Sequence, residues 1–144
     1  MKKHLLFCIW LLFFSSYHSF AGNTLIDSLQ SVLKDAKEDT VKAFLLTELS
    51  WERLVTGDFR SALQNADSAL ALSKKLNYRW GIATAYNRKA GALEEFGNYA
   101  EALKNYEASL KINIETGNKK GIASNTAEIV FLLFIYFSCK ILTL

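Results

Sequence analysis

Apolar residues recur along most of this chain at helical spacing. Leu45, Leu46, Leu49 and Arg53 follow the i, i+3, i+4 rhythm of one helix face, and Ile82, Tyr86, Ala90, Leu93 and Phe96 follow it again. Between these stretches lie segments whose inner face is small: Ala62, Ala66 and Ala69 in one, Ala102 and Ser109 in the other. Small residues let two helices approach closely, and large side chains opposite them fill the gaps. Each first helix ends near a glycine suited to a left-handed closing residue, and Asp58 or Asn98 follows as a cap for the next helix. The pattern predicts a lead-in helix over about 24–37, two complete helix pairs over about 40–75 and 80–115, and a third, incomplete pair from about 119.

The pairs are copies of one unit. Gly57-Asp58-Phe59 returns forty positions later as Gly97-Asn98-Tyr99, and Ala62-Leu63 as Ala102-Leu103. Ser68-Ala69-Leu70 is matched by Ala108-Ser109-Leu110, and Gly81-Ile82-Ala83 by Gly121-Ile122-Ala123, all in one register. A fixed period of this size is the mark of a repeat array, in which each unit buries its apolar face only by stacking on a neighbour.

The repeat resembles the tetratricopeptide family. In LEEFGNYAEALKNYEASLKI (Leu93 to Ile112), Gly97, Tyr99, Ala102, Tyr106 and Leu110 stand on signature positions. In LVTGDFRSALQNADSALAL (Leu54 to Leu72) the matches are Gly57, Phe59, Ala62, Ala69 and Leu70. A forty-residue period, longer than the usual unit, is similar to the extended repeats of extracytoplasmic sensory regions in bacterial signalling proteins. The resemblance implies an all-α fold of antiparallel helix hairpins stacked as a short right-handed α-solenoid, working as a protein-binding module. It also implies a concave groove lined by the first helices, with Thr47, Trp51, Asn87, Arg88, Gly91 and Glu94 facing it. Beside that stands a plainer reading, in which Trp51 packs on the lead-in helix and Arg88 and Glu94 are solvated surface. Ala66 departs from the family's aromatic and Lys89 from its apolar residue. The family's carboxylate-gripping set is not reproduced by Asn87 and Arg88.

The two ends differ from the repeats. Residues 1–21 carry Lys2 and Lys3, ten apolar residues from Leu5 to Phe14, a more polar stretch, and Ser19-Phe20-Ala21. That tripartite pattern predicts a secretory signal cleaved after Ala21, since ten residues of helix span only ~15 Å, about half a bilayer core. The remaining organisation reads as a lead-in over 22–39, repeats over 40–128 and a hydrophobic tail over 129–144. KKGIASNTAEI (Lys119 to Ile129) opens a third copy, and Ile129 to Phe137 is then wholly apolar. A terminal repeat normally turns a polar face outward. Three explanations of the tail stay open: insertion in a membrane, a final helix packed on repeat two and covered further by self-association, or the remnant of a truncated third repeat.

Charge and chemistry narrow the function. Removing Lys2 and Lys3 from the 17 basic residues leaves 15 against 14 acidic, a net charge of +1. That balance argues against nucleic acid as a partner. His4 and His18 both lie in the leader, and Cys8 leaves with it, so the mature chain keeps Cys139 alone. No His/Cys metal set and no histidine base for a nucleophile can be assembled. Glu94 and Glu95 point about 100° apart on a helix and cannot act as a facing carboxylate pair. The glycines are too dispersed for a phosphate loop. The expectation is a non-enzymatic, cofactor-free module, periplasmic or extracellular, that takes a protein or peptide partner. The alternative is a small membrane-associated protein held by its tail or by an uncleaved leader. Far-ultraviolet circular dichroism of the processed chain should show a predominantly helical spectrum; a strand or coil spectrum from a monodisperse sample contradicts the repeat.

Overall fold

The computed structural model describes residues 24–142, without the side chains of 136, 137 and 139–142; the secretory signal expected over 1–21 lies outside the described residues. Six helices and no strand are present among them. Helix α1 covers 24–35, followed by α2 (Thr40–Val55), α3 (Phe59–Lys75), α4 (Arg79–Glu95), α5 (Tyr99–Glu115) and α6 (Lys119–Leu142). From α2 onward each helix packs on its neighbour in sequence, and α2 also packs on α4. The chain is an all-α row of helix hairpins.

The corners explain the regularity. Gly57, Asn77, Gly97 and Gly117 all take positive φ, at 84°, 53°, 73° and 68°. At each, the following amide reaches back five residues: Asp58 N to Arg53 O, Tyr78 N to Ser73 O, Asn98 N to Leu93 O and Asn118 N to Asn113 O, at 2.8–2.9 Å. This closing motif satisfies carbonyls that a helix end leaves without partners. Helix starts are less uniform. Asp39 Oδ1 accepts from Val41 N and Lys42 N, and Asp58 accepts from Ser61 N. Asn98 sits at the expected cap of α5, yet its side chain makes no cap bond. At the next corner Asn118 Oδ1 does accept from Gly121 N at 3.2 Å.

Two apolar clusters each tie several helices together. Leu46 of α2, Ala69 and Leu70 of α3 and Ala85 of α4 form one, with Leu33 of α1 packed against it. Ala90 and Leu93 of α4, Ala102 and Tyr106 of α5 and Leu132 of α6 form the other. The small face of α3 is fully buried at Ala62, Ala66, Ala69 and Ser73. Lys89 sets Nζ 2.6 Å from Asp67 Oδ1, so its apolar-expected position is accommodated by an ion pair across α3 and α4. Helix α6 runs unbroken through Ile129, because no Gly or Pro interrupts the apolar stretch. Among the described residues no helix is long and apolar enough to cross a membrane.

The recurring Gly-Ile-Ala has a packing cause. A Cβ at Gly81 would fall inside the contact distance of Ser73 Oγ and the Tyr78 ring, and one at Gly121 would lie 2.5 Å from Asn113 Cγ. Both glycines sit where a second helix meets the next first helix. At Gly91, by contrast, the nearest atom would be Leu54 Cδ1 at 3.5 Å, an ordinary contact. Gly81→Ala should therefore cost about 1–3 kcal/mol through overpacking. Gly91→Ala should be neutral or stabilise by about 0.5–1 kcal/mol, the usual helix-interior gain. Urea unfolding of both variants checks the contrast.

Candidate functional site

The expected groove residues do not share one environment. Thr47 is fully buried, and its hydroxyl donates to Phe44 O at 2.7 Å, leaving no surface for a ligand. Trp51 is 44% exposed and carries the Arg88 guanidinium 4.5 Å above its ring centre. This stack joins the first helices of two successive repeats, a cation–π contact of about 0.5–2 kcal/mol. Arg88 Nη1 also donates to Asn87 Oδ1 at 3.3 Å. Gly91 leaves room above the Tyr106 hydroxyl, which a Cβ would approach to 3.7 Å. Glu94 accepts from that hydroxyl at 3.1 Å.

Arg88 is the electrostatic anomaly of the site. It forms no ion pair among the described residues, and its Nε has no hydrogen-bond partner there. Burial pulls its pKa below the ordinary value, opposed by Glu48 and Tyr106; an arginine nevertheless stays charged. On the other side of the site, burial pushes the Glu94 carboxyl up, with Glu128 and Glu95 adding to the shift and the Tyr106 bond opposing it. Tyr106 itself is driven far above its normal range by burial and by Glu94.

A cavity of about 260 Å³ opens between α4, α5 and α6, lined among others by Trp80, Asn87, Arg88, Asn113, Lys120 and Asn125. Its back wall is a polarised relay of amides. Gly121 N–H donates to Asn118 Oδ1, so Asn118 Nδ2 is free to donate to Asn113 Oδ1 at 2.8 Å. Asn113 Nδ2 in turn donates to Asn125 Oδ1 at 2.9 Å and to Ser109 Oγ at 3.3 Å. The Ser109 hydroxyl donates to Ala83 O at 2.8 Å. The backbone amide at one end fixes every side-chain orientation along the chain. Asn125 is left 1% exposed with an Nδ2 group that has no acceptor among the described residues.

The residues lining the cavity include Asn87, Arg88, Lys120 and Asn125, and among them Arg88 Nε and Asn125 Nδ2 are buried donors with no acceptor among the described residues. A buried unpaired donor costs about 1–3 kcal/mol, so an acceptor placed here gains what the free protein forgoes. The sequence reading found Arg88 and Asn87 but not Asn113, Asn118, Asn125 or Lys120. The available signal was asparagine at interior helical positions, where Asn is a poor helix former and has a reason to be present. Among the described residues, no group of three His, Cys, Asp or Glu stands close enough to hold a metal.

No protein-family model matches the chain, and no characterised protein is significantly similar to it.

The Glu94 environment yields a pH signature. A carboxyl raised in the folded state contributes full stability below its ordinary value of 4.5 and loses it as pH climbs through the folded value. Glu94→Gln keeps an acceptor for Tyr106 without the charge. Thermal unfolding should show the variant more stable than the parent at pH 7 and indistinguishable near pH 4. An unchanged difference across that range contradicts the burial of Glu94.

Proposed function

We propose that this chain is a non-catalytic protein–protein interaction module, exported to the periplasm or the cell exterior, that grips a protein or peptide partner in the groove beside Trp51 and Arg88. The observation carrying this reading is the donor-rich wall: Arg88, whose Nε lacks an acceptor among the described residues, and Asn125, whose Nδ2 lacks one too, line one cavity. An extended peptide presents carbonyls and, where acidic, carboxylates, which are the acceptors these groups lack. A peptide carbonyl or carboxylate seated there removes the desolvation cost of the free site. The row of helix hairpins supports the reading, since such arrays bind through surfaces assembled from several repeats. The tetratricopeptide resemblance and its extended period support a role outside the cytoplasm as the input region of a sensor. The leader, Met1 to Ala21, supports export.

The test is a peptide-display selection against the processed chain, repeated with Arg88→Met and Asn87→Ala. Arg88→Met keeps an apolar stem over Trp51 while removing the donors. Recovered peptides should bind the parent and lose about tenfold or more on each variant, as for loss of a charge-assisted bond. Recovery of no peptide, or peptides indifferent to both substitutions, overturns the proposal.

A further inference from the structure

Helix α6 bears one face that nothing in the described chain covers. Ala123, Thr126, Ala127, Val130, Phe131 and Phe134 follow the i, i+3, i+4 rhythm along it. Val130, Phe131 and Phe134 are 60%, 53% and 70% exposed. Solvation of three large apolar side chains in a row is unfavourable by roughly 25 cal/mol for each Å² left in water.

The repeat states what kind of object belongs there. Shifted by forty, Ala123, Thr126, Ala127 and Val130 correspond to Ala83, Tyr86, Asn87 and Ala90 on α4, and to Ala43, Leu46, Thr47 and Ser50 on α2. All four are buried on α2; on α4, Ala83 and Ala90 are buried and the other two half-buried; on α6 all four are exposed. What covers the earlier copies is an α-helix. Ser50 Oγ donates to Ala62 O of α3, and Ser109 Oγ of α5 donates to Ala83 O of α4, each at 2.8 Å. From Ala123 to Val130 the face on α6 is thus a helix-packing face of the array's own kind, with no helix on it among the described residues.

The stripe also grades from small to large along its length. Ala123, Thr126 and Ala127 lie at one end, and Val130, Phe131 and Phe134 at the other. Placed antiparallel on a second α6 about a two-fold axis between positions 128 and 129, the stripe is complementary to itself. Ala123 then meets Phe134, Thr126 meets Phe131, and Ala127 meets Val130. Each small residue receives a large one from the other copy. Antiparallel pairing also sets helix dipoles head to tail, and a two-fold interface uses the same patch on both subunits. A parallel pairing would stack phenylalanine on phenylalanine and leave gaps at the alanines.

We infer that α6 is a homodimerisation helix, and that a second copy of this chain packs antiparallel on the stripe from Ala123 to Phe134. A single helix pair lies at the low end of specific interfaces, at or below about 1,200 Å² of total buried surface. The dimer is accordingly reversible.

The experiment uses the full-length chain in cells, with Cys8→Ser and Cys139→Ser, so that introduced thiols report alone. Two differently tagged versions are co-expressed, one carrying Ala127→Cys and the other Val130→Cys, and treated with a short bis-maleimide. The inference expects a cross-linked band bearing both tags, stronger than the band from either variant alone. Adding Phe131→Glu to both chains should abolish it, because the exposed position keeps each monomer folded while a charge is buried without a partner in the pair. A dominant Ala127→Cys homodimer indicates parallel pairing and overturns the inference. So does the absence of any cross-link, including the case in which the chain instead co-floats with phospholipid vesicles through the same stripe. Groove variants such as Arg88→Met should leave the cross-link unchanged, so failure here is separable from failure of the peptide-binding reading.

Discussion

Everything in this structure follows from a left-handed residue placed every twenty positions. At 57, 77, 97 and 117 the chain reverses through the same pair of backbone bonds, so successive helices of nearly equal length return side by side. Equal lengths matter because packing then repeats in register: the small face of each second helix meets equivalent residues on its neighbours. Three corners use glycine, which pays no Cβ penalty at positive φ. The fourth uses Asn77, whose short polar side chain tolerates the same region. Its presence hides half of the period, because only the glycine corners flanking it share an obvious sequence signature.

Close packing then decides where glycine and serine must stand within the helices. Gly81 admits Ser73 and the Tyr78 ring, and Gly121 admits Asn113, at the junction between one hairpin and the next. Ser50 and Ser109 reach across to backbone carbonyls of facing helices at 2.8 Å. Such bonds contribute little net energy, about 0.5–1.5 kcal/mol each, but a misregistered neighbour leaves them unmade in the dry interior. They specify register more than they add stability. The Asn113–Asn125 bond does the same for α6, whose otherwise featureless apolar sequence offers weak guidance about which side should face inward. Leu132 and Ile129 complete that orientation by joining the cluster around Tyr106.

The two surfaces of interest arise from the same economy. Orienting the amide relay from the Gly121 end leaves its last donor, on Asn125, without an acceptor among the described residues, and that residue lines the cavity shared with Arg88. Holding the inner side of α6 against α5 turns Val130, Phe131 and Phe134 outward. Among the described residues, one surface is polar and holds donors without acceptors, and the other is apolar and uncovered.

What could be read from the sequence was local or periodic. The helical rhythm, the cap at Asp58 and the glycine corners act within a few residues of themselves, so their physics is complete in a short window. The forty-residue recurrence carries the hairpin architecture because identical units must stack alike. Side-chain fate at the groove was another matter. Thr47, expected on the groove, is sealed inside, Trp51 meets Arg88 from the next repeat, and Asn98 declines the cap that its type and place suggested. The direction of the Asn113–Asn118–Asn125 relay likewise depends on three segments brought together by folding. These outcomes turn on which atoms of distant turns arrive within about 3 Å, a quantity that hydrogen bonding reads strictly and that spacing along a single chain does not contain.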